Sequence, residues 1–158
     1  TYVATNLQTQ SPYASNLDLN AVNFTGADLR GAVFSDTILF LANFTNADLT
    51  GVKFSKVDLS TIDFTNAIMY GLDLININFT DSNFTGAKLI GSSLFASNFS
   101  NTNFTDANLK NVNLFGADLT GANLTGANLT GADLFGVTFN KTIFCRTVMP
   151  LGIDNSGC

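Results

Sequence analysis

The sequence contains no histidine, no tryptophan and no glutamate, and only two prolines and two cysteines in 158 residues. Without histidine the chain lacks the usual general base near neutral pH and the commonest metal ligand. Charged residues make up 12% of it, about half of the roughly 25% usual in soluble domains. Low charge is compatible with a membrane protein, but the longest apolar run, Ile38 to Ala42, is only five residues long. A spanning helix needs about 20, so membrane insertion is not expected. Disorder is excluded too: it requires low hydrophobicity, and the chain is 46% hydrophobic. The net charge of −5 leaves no basic face for nucleic acid. All twelve acids are Asp. Glu is a good helix former and Asp a poor one, so the acids serve something other than a helix. The length fits one domain.

What is present is a repeat, and it dominates. Stepping by five from Leu19 through Phe24, Leu29 and Phe34 to Phe144 gives 26 consecutive positions, all Leu, Phe or Met, without an insertion. Call this position i. At i−2 small or β-branched residues are common, such as Ala27, Ala32, Ala47, Val52 and Ala117. At i−1 Asp or Asn is commonest, and at i+1 Thr or Ser. At i+2 stand 11 of the 13 glycines, five Asn and three Asp. Residues two apart in an extended segment share a side, so i−2 and i face inward and i−1 faces out. Gly, Asn and Asp tolerate positive φ and make turns. Each unit is therefore a short extended piece followed by a corner. A period of five matches neither a helix nor a plain strand, and a chain that turns in one sense every five residues coils into a solenoid.

The unit A-(D/N)-L-x-x, as in Ala117-Asp118-Leu119-Thr120-Gly121 and Ala122-Asn123-Leu124-Thr125-Gly126, resembles the pentapeptide repeat family over residues 17–146, or 130 of 158. The resemblance implies an all-β fold, a right-handed quadrilateral parallel β-helix with four units per coil and about 6.5 coils. With coils ~4.8 Å apart the rod is roughly 30 Å long. The composition supports four walls. Position i on one wall reads Phe24, Phe44, Phe64, Phe84, Phe104, Leu124, Phe144, and on the next Leu29, Leu49, Met69, Leu89, Leu109, Leu129.

Solenoid ends expose a hydrophobic cross-section and strand edges, so they need caps. Residues 1–16 lie outside the repeat and are expected to form an N-terminal cap segment. Residues 147–158 follow the last unit as a C-terminal tail. Cys145 and Cys158 bracket that tail and read most simply as a disulfide pinning it across the end, with two free thiols as the alternative. A loop of this size is worth about 3 kcal/mol in the chain-entropy model. The stretch Phe144-Cys145-Arg146-Thr147-Val148-Met149-Pro150, followed by Asn155-Ser156-Gly157-Cys158, is similar to the tail of exported family members from cyanobacteria and chloroplast thylakoid lumens. A disulfide suits such a compartment, or a bacterial periplasm, better than a reducing cytosol.

No nucleophile–base pair involving His can be assembled, and neither a catalytic site nor a cofactor is expected. Asp28 and Asp48 stand one coil apart on one wall, close enough to hold a cation, although Asp is the ordinary i−1 residue, and no metal site is expected. Lys53 and Asp73 on another wall are expected to form a surface ion pair of little energy. The N-x-S/T triplets at Asn23, Asn43, Asn78, Asn83, Asn98, Asn103, Asn123 and Asn128 read as by-products of the repeat rather than glycosylation sites. The column Thr25, Thr45, Thr65, Thr85, Thr105, Thr125 suits cross-strand hydroxyl bonding or an ice-binding face.

One feature breaks the polar-outside rule. At i+1 on the third wall come Ile75, Phe95, Phe115 and Phe135. Stacked one per coil, they make an outer stripe of the size at which apolar patches begin to carry meaning. It reads either as a surface for a protein partner or for self-association, or as side-chain stacking under cover of the terminal segments. Phe40, Tyr70 and Ile90 are further outward apolar residues. These features point to a non-enzymatic structural or protein-interaction scaffold of the thylakoid lumen or periplasm, with an unidentified protein partner and no nucleic acid. The alternative is a DNA-mimicking gyrase inhibitor, which some members of the family are. That role needs a dense negative surface, and here the Asp residues are diluted by Asn.

Overall fold

The computed structural model describes residues 13–158. The chain is a right-handed quadrilateral β-helix in which each residue sits over the one 20 positions earlier. Its named strands are short: β1 (Tyr13–Ser15), β2 (Val33–Ser35) and β3 (Lys53–Ser55) pair in parallel, in that order, on one wall. Elsewhere the ladder is a series of parallel bridges such as Asn43↔Asp63, Lys88↔Asn108 and Asn103↔Asn123. β4 (Thr147–Met149) and β5 (Gly152–Asp154) form an antiparallel hairpin at the C-terminal end. Among the described residues no helix is long and apolar enough to cross a membrane.

The corner is what coils the chain. From residue 21 to residue 146 every i+2 position has positive φ, eleven glycines and fifteen other residues. The set includes Leu41 at 58° and Thr61 at 61°, residue types for which this conformation is sterically costly. The backbone of the neighbouring coils enforces it. The N–H at i donates to the i−1 carbonyl of the next coil, as Phe24 does to Asn43 at 2.7 Å. The N–H at i+2 donates to the next i+1 carbonyl, as Gly26 does to Thr45 at 2.8 Å. A third bond closes most corners, as from Ala27 N–H to the Phe24 carbonyl at 2.9 Å. Among the described residues these bonds fail between β3 and the Asp73–Ile75 stretch above it, and also between Ile38–Phe40 and Asp58–Ser60. The first gap coincides with bulky inward residues, Leu72 and Ile77, at i−2 sites that from residue 32 onward hold Ala, Ser, Thr or Val elsewhere on the same walls.

Side chains at i−2 and i fill the interior. Rings stack up one wall, with centroids 4.8 Å apart for Phe24–Phe44, 5.4 Å for Phe44–Phe64, 4.8 Å for Phe64–Phe84 and 5.1 Å for Phe84–Phe104. Phe79 and Phe99 stack on the adjoining wall at 4.9 Å and meet the first column edge to face. Such pairs add about 0.5–1.5 kcal/mol each beyond burial.

The regular coil is longer than the repeat boundaries suggest. Tyr13–Ser15 pair in register with Val33–Ser35, and Asn16 takes the corner conformation. Of the expected cap segment 1–16, residues 1–12 lie outside the described residues, and residues 13–16 belong to the first coil. At the other end Thr147 is buried, Val148 bridges to Asn128, and Met149 packs on the core. These three meet the i−2, i−1 and i requirements, so the coil runs through Met149 and the tail begins at Pro150.

The core also contains buried hydroxyls. Ser82, Ser92, Ser97 and Thr102 occupy inward i−2 sites and are at most 2% exposed. Ser97 Oγ accepts from Ile77 N–H at 2.9 Å and donates to the Leu74 carbonyl at 2.7 Å, so it bridges the corner of the coil below. Ser82 bridges Leu59 and Ile62, and Ser92 bridges Met69 and Leu72, in the same way. A buried N–H and C=O left unpaired cost about 1–3 kcal/mol. Ser97→Ala is therefore expected to lower the urea unfolding free energy by that amount, whereas Ser100→Ala, on the outer surface, stays within about 0.5 kcal/mol of the parent.

Candidate functional site

The outward positions show why Asp and Asn fill i−1. The side-chain oxygen there accepts the N–H of i+1, as in Asn43 to Thr45 at 2.8 Å, Asp48 to Thr50 at 3.0 Å and Asn113 to Phe115 at 2.9 Å. This local bond needs a short side chain with an acceptor three bonds from Cα, one bond nearer than the Glu carboxylate. On the threonine wall the same residues form a continuous chain. Asn123 Nδ2 donates to Thr105 Oγ1, which donates to Asn103 Oδ1; the pattern repeats through Thr85, Asn83 and Thr65 to the Asp63 carboxylate. The threonine column thus makes cross-strand hydroxyl bonds, with links of 2.6–3.2 Å.

Asp28 and Asp48 are bridge partners on their wall. Arg30 supplies the cation there, donating from Nε to Asp28 Oδ1 at 2.8 Å and from Nη2 to Oδ2 at 2.6 Å, with Asp48 Oδ2 at 3.9 Å. These hydrogen bonds lower the Asp28 pKa to about 2. Among the described residues no group of acids or cysteines could hold a metal ion. Lys53 and Asp73, expected to pair, do not approach as an ion pair: they face each other across the gap in the ladder. Neither makes another ion pair among the described residues.

The structure brings Ile75, Phe95, Phe115 and Phe135 into one outer column. Ring centroids are 5.4 Å apart for Phe95–Phe115 and 5.3 Å for Phe115–Phe135, with interplanar angles of 13° and 24°. Ile75 is 42% exposed, Phe115 38% and Phe135 72%, while Phe95 is half-buried between its neighbours. The corner beside the column carries Ala96, Gly116 and Gly136, and a Cβ placed on Gly116 would meet nothing within 4 Å. The column is therefore a ridge of ring edges beside a bare backbone shelf. Its last member borders a shallow apolar notch of 440 Å³ lined by Ala132, Leu134, Met149, Pro150 and Leu151. The C-terminal tail leaves Phe135 uncovered.

A second apolar group, Leu17, Ile38, Phe40 and Leu41, is exposed near the N-terminal end. Of these only Phe40 stood out in the sequence. The signal was the run Ile38–Ala42, which is long enough to place apolar residues at i−1, i+1 and i+2 as well as inside. At the other end Cys145 and Cys158 are joined by a disulfide, with Cα atoms 4.7 Å apart. Asn155 Oδ1 accepts the Arg146 N–H at 2.8 Å and the Phe144 carbonyl accepts the Gly157 N–H at 2.5 Å. A Cβ on Gly157 would come within 2.7 Å of the Phe144 backbone nitrogen, so only glycine lets the tail lie this close.

The family model for pentapeptide repeats matches residues 15–55, 42–81, 77–121 and 113–149, with eight copies. The chain belongs to the pentapeptide repeat family. Among solved structures this pentapeptide repeat protein is similar to trypsin-treated QnrB1, a plasmid-mediated fluoroquinolone resistance protein. They share 25% identity over 92% of this chain and 80% of that one, with a TM-score of 0.76. It is also similar to a pentapeptide repeat protein from the Arabidopsis thaliana thylakoid lumen, at 31% identity over 57% of this chain and 63% of that one, with a TM-score of 0.55. No curated protein sequence matches it.

Two outcomes follow from this surface. Phe115→Asp leaves the circular dichroism spectrum and the thermal midpoint close to those of the parent, because the side chain already faces water; loss of folding would place it in the core. In a carboxyl-carbon NMR titration, Asp28 ionises with a midpoint near 2, and Arg30→Ala returns it toward the ordinary value of about 3.9. The depressed value means that the pair's contribution is complete above the ordinary carboxylate pKa and is lost as pH falls through about 2.

Proposed function

We propose that this pentapeptide repeat protein is a non-enzymatic scaffold that engages a protein partner through the Ile75–Phe95–Phe115–Phe135 column, in a thylakoid lumen or, alternatively, a periplasm. The observation that carries the reading is the column itself. Three stacked phenylalanines stand on an outer wall where the equivalent position of the threonine wall holds a polar residue in six successive coils. An uninterrupted apolar ridge of this kind marks an interaction site more often than a chance exposure. The absence of an enzyme role rests on the chemistry available, since a chain without histidine offers surface Asp residues and few other acid–base groups. Members of the family are in general structural or interaction scaffolds.

The compartment rests on the Cys145–Cys158 disulfide, which an oxidising environment maintains, and on the likeness to the thylakoid-lumen protein. The likeness to QnrB1 keeps the gyrase-inhibitor reading as the alternative. Against it, the Asp residues are spread over all four walls, as Asp48, Asp63, Asp118 and Asp133 show, and the net charge of −5 is modest for a DNA mimic.

The test is capture of partners by the parent protein and by a Phe95→Ser/Phe115→Ser/Phe135→Ser variant. The variant is expected to lose a partner that the parent retains, and equal capture would rule out the column as the interface. Thiol titration of protein isolated without reductant is expected to find no reactive cysteine. Two reactive thiols would remove the compartment argument, and inhibition of gyrase supercoiling would favour the alternative.

A further inference from the structure

We infer that the aromatic wall is self-complementary and pairs with a second copy of this chain, rods antiparallel, about a two-fold axis lying in the interface at the level of Ser93. This inference rests on the column being an interaction surface and names its occupant.

An isologous contact requires that a patch match itself under the two-fold. Two flat walls can face each other in two such ways. With rods parallel, the i−1 row of one copy opposes the i+1 row of the other at the same level. Phe115 and Phe135 would then lie on Asn113 and Asp133, and desolvating a carboxylate against a ring has no compensating bond. With rods antiparallel, each row opposes itself in reverse order. The i+1 row reads Ser55, Ile75, Phe95, Phe115, Phe135, and the i−1 row reads Lys53, Asp73, Ser93, Asn113, Asp133. Centred on Ser93, the apolar members meet as Phe95 on Phe95 and Ile75 on Phe115, twice, and Phe135 meets Ser55, twice. In the i−1 row Lys53 meets Asp133 twice, and Asp73 meets Asn113.

The register is specific. Shifted by half a coil toward the C-terminus, the centre brings Asp73 onto Asp133, and like charges oppose. Shifted by a whole coil the same way, the centre leaves Lys53 and Asp73 opposite nothing. Only the Ser93-centred register uses both charges. Both are available for it. Lys53 and Asp133 are exposed, and neither makes an ion pair among the described residues. Among the described residues the Asp133 carboxylate accepts only its own wall's Phe135 N–H, at 3.0 Å. The Gly116 and Gly136 shelf leaves room beside the ridge for the partner's ring edges.

The area sets the strength. Four rungs at ~4.8 Å and the β3 rung across the open step below Asp73, about three extended residues wide, offer a few hundred Å² per copy. A standard interface buries about 800 Å² per partner, so the dimer is weak and forms at high micromolar concentration.

The test is sedimentation equilibrium of the full chain from about 10 µM to about 1 mM, at low and moderate salt, with the disulfide intact. A monomer–dimer equilibrium weakened by salt is expected, and Phe115→Asp is expected to weaken it by about tenfold or more. Lys53→Asp and Asp133→Lys each place like charges opposite one another twice and are expected to weaken it about fivefold. Lys53→Asp/Asp133→Lys in one chain restores opposite charges across the two-fold and is expected to return it to near the parent value. A monomer at about 1 mM, a dimer indifferent to Phe115→Asp, or a double variant as weak as the singles would each overturn the inference. A monomer that still captures a different protein through the column overturns the second-copy occupant and leaves the interaction function standing. A dimer with all the expected responses and no other captured protein supports the inference and limits the function to self-association.

Discussion

The rest of the structure depends on one repeated event, a backbone corner of positive φ every fifth residue, locked by hydrogen bonds to the coil above. With 26 such corners in succession, each residue's neighbours lie 20 positions away and every coil templates the next. The corner explains both the glycines and the exceptions. Gly adopts this conformation freely, and Asn and Asp adopt it at small cost. Thr61 and Leu41 adopt it within a run of corners that the ladder holds on one side of each, through Thr61 N–H to the Thr80 carbonyl and Ala21 N–H to the Phe40 carbonyl, so the strain of a single corner is carried by the array.

The same constraint decides where polarity can go. In each unit two side chains face inward and one position is a corner, which leaves i−1 and i+1 for solvent. At i−1 the chain needs an acceptor short enough to reach its own i+1 N–H, and Asp and Asn meet that need where Glu does not. The polarity of the outer rows is then carried by amides and hydroxyls, as in the Asn123–Thr105–Asn103 ladder that ends on Asp63. A chain with 12% charge and no Glu follows from the geometry of the unit. The buried serines extend the same principle inward. Ser92 and Ser97 are tolerated in an apolar core because each finds a donor and an acceptor in the corner beneath it.

Much of this was legible in the sequence because the period is strict. The inward column from Leu19 to Phe144, the corners, the four walls and the outward aromatic column all follow from counting by five. The remainder depends on distances that counting does not contain. Lys53 and Asp73 are 20 residues apart and should pair, yet the ladder opens between their coils near the bulky Leu72 and Ile77. The coil runs on to Met149 because Thr147, Val148 and Met149 meet the inward and outward requirements without carrying the Ala, Asn or Leu of the motif. The serine bridges were invisible because Ser at i−2 looks like any small residue until its hydroxyl is seen between a carbonyl and an N–H of the coil below. The N-terminal apolar group was hidden inside a run that, read only for length, excluded a membrane span.

The walls of the β-helix have the same backbone, the same corners and the same two inward positions per unit, so whatever differs between their outer rows is not demanded by the fold. One wall carries threonine at i+1 in six successive coils, tied into a hydrogen-bonded ladder. Another carries Ser35 and Ser55, then Ile75, Phe95, Phe115 and Phe135. Coil-to-coil stacking does not require the change, because the serines below hold the same pairing in β2 and β3. Ring stacking at 5.3–5.4 Å contributes to stability, but it would do so equally on any wall and at either end. The stacked outward aromatic run occupies one wall, beginning where the serines stop, with Lys53 beyond one end of the run and Asp133 at the other, while Phe40 and Tyr70 stand singly on other walls. A preference for stacking has no reason to produce that arrangement of charge, whereas a surface that must recognise its own reversed copy does.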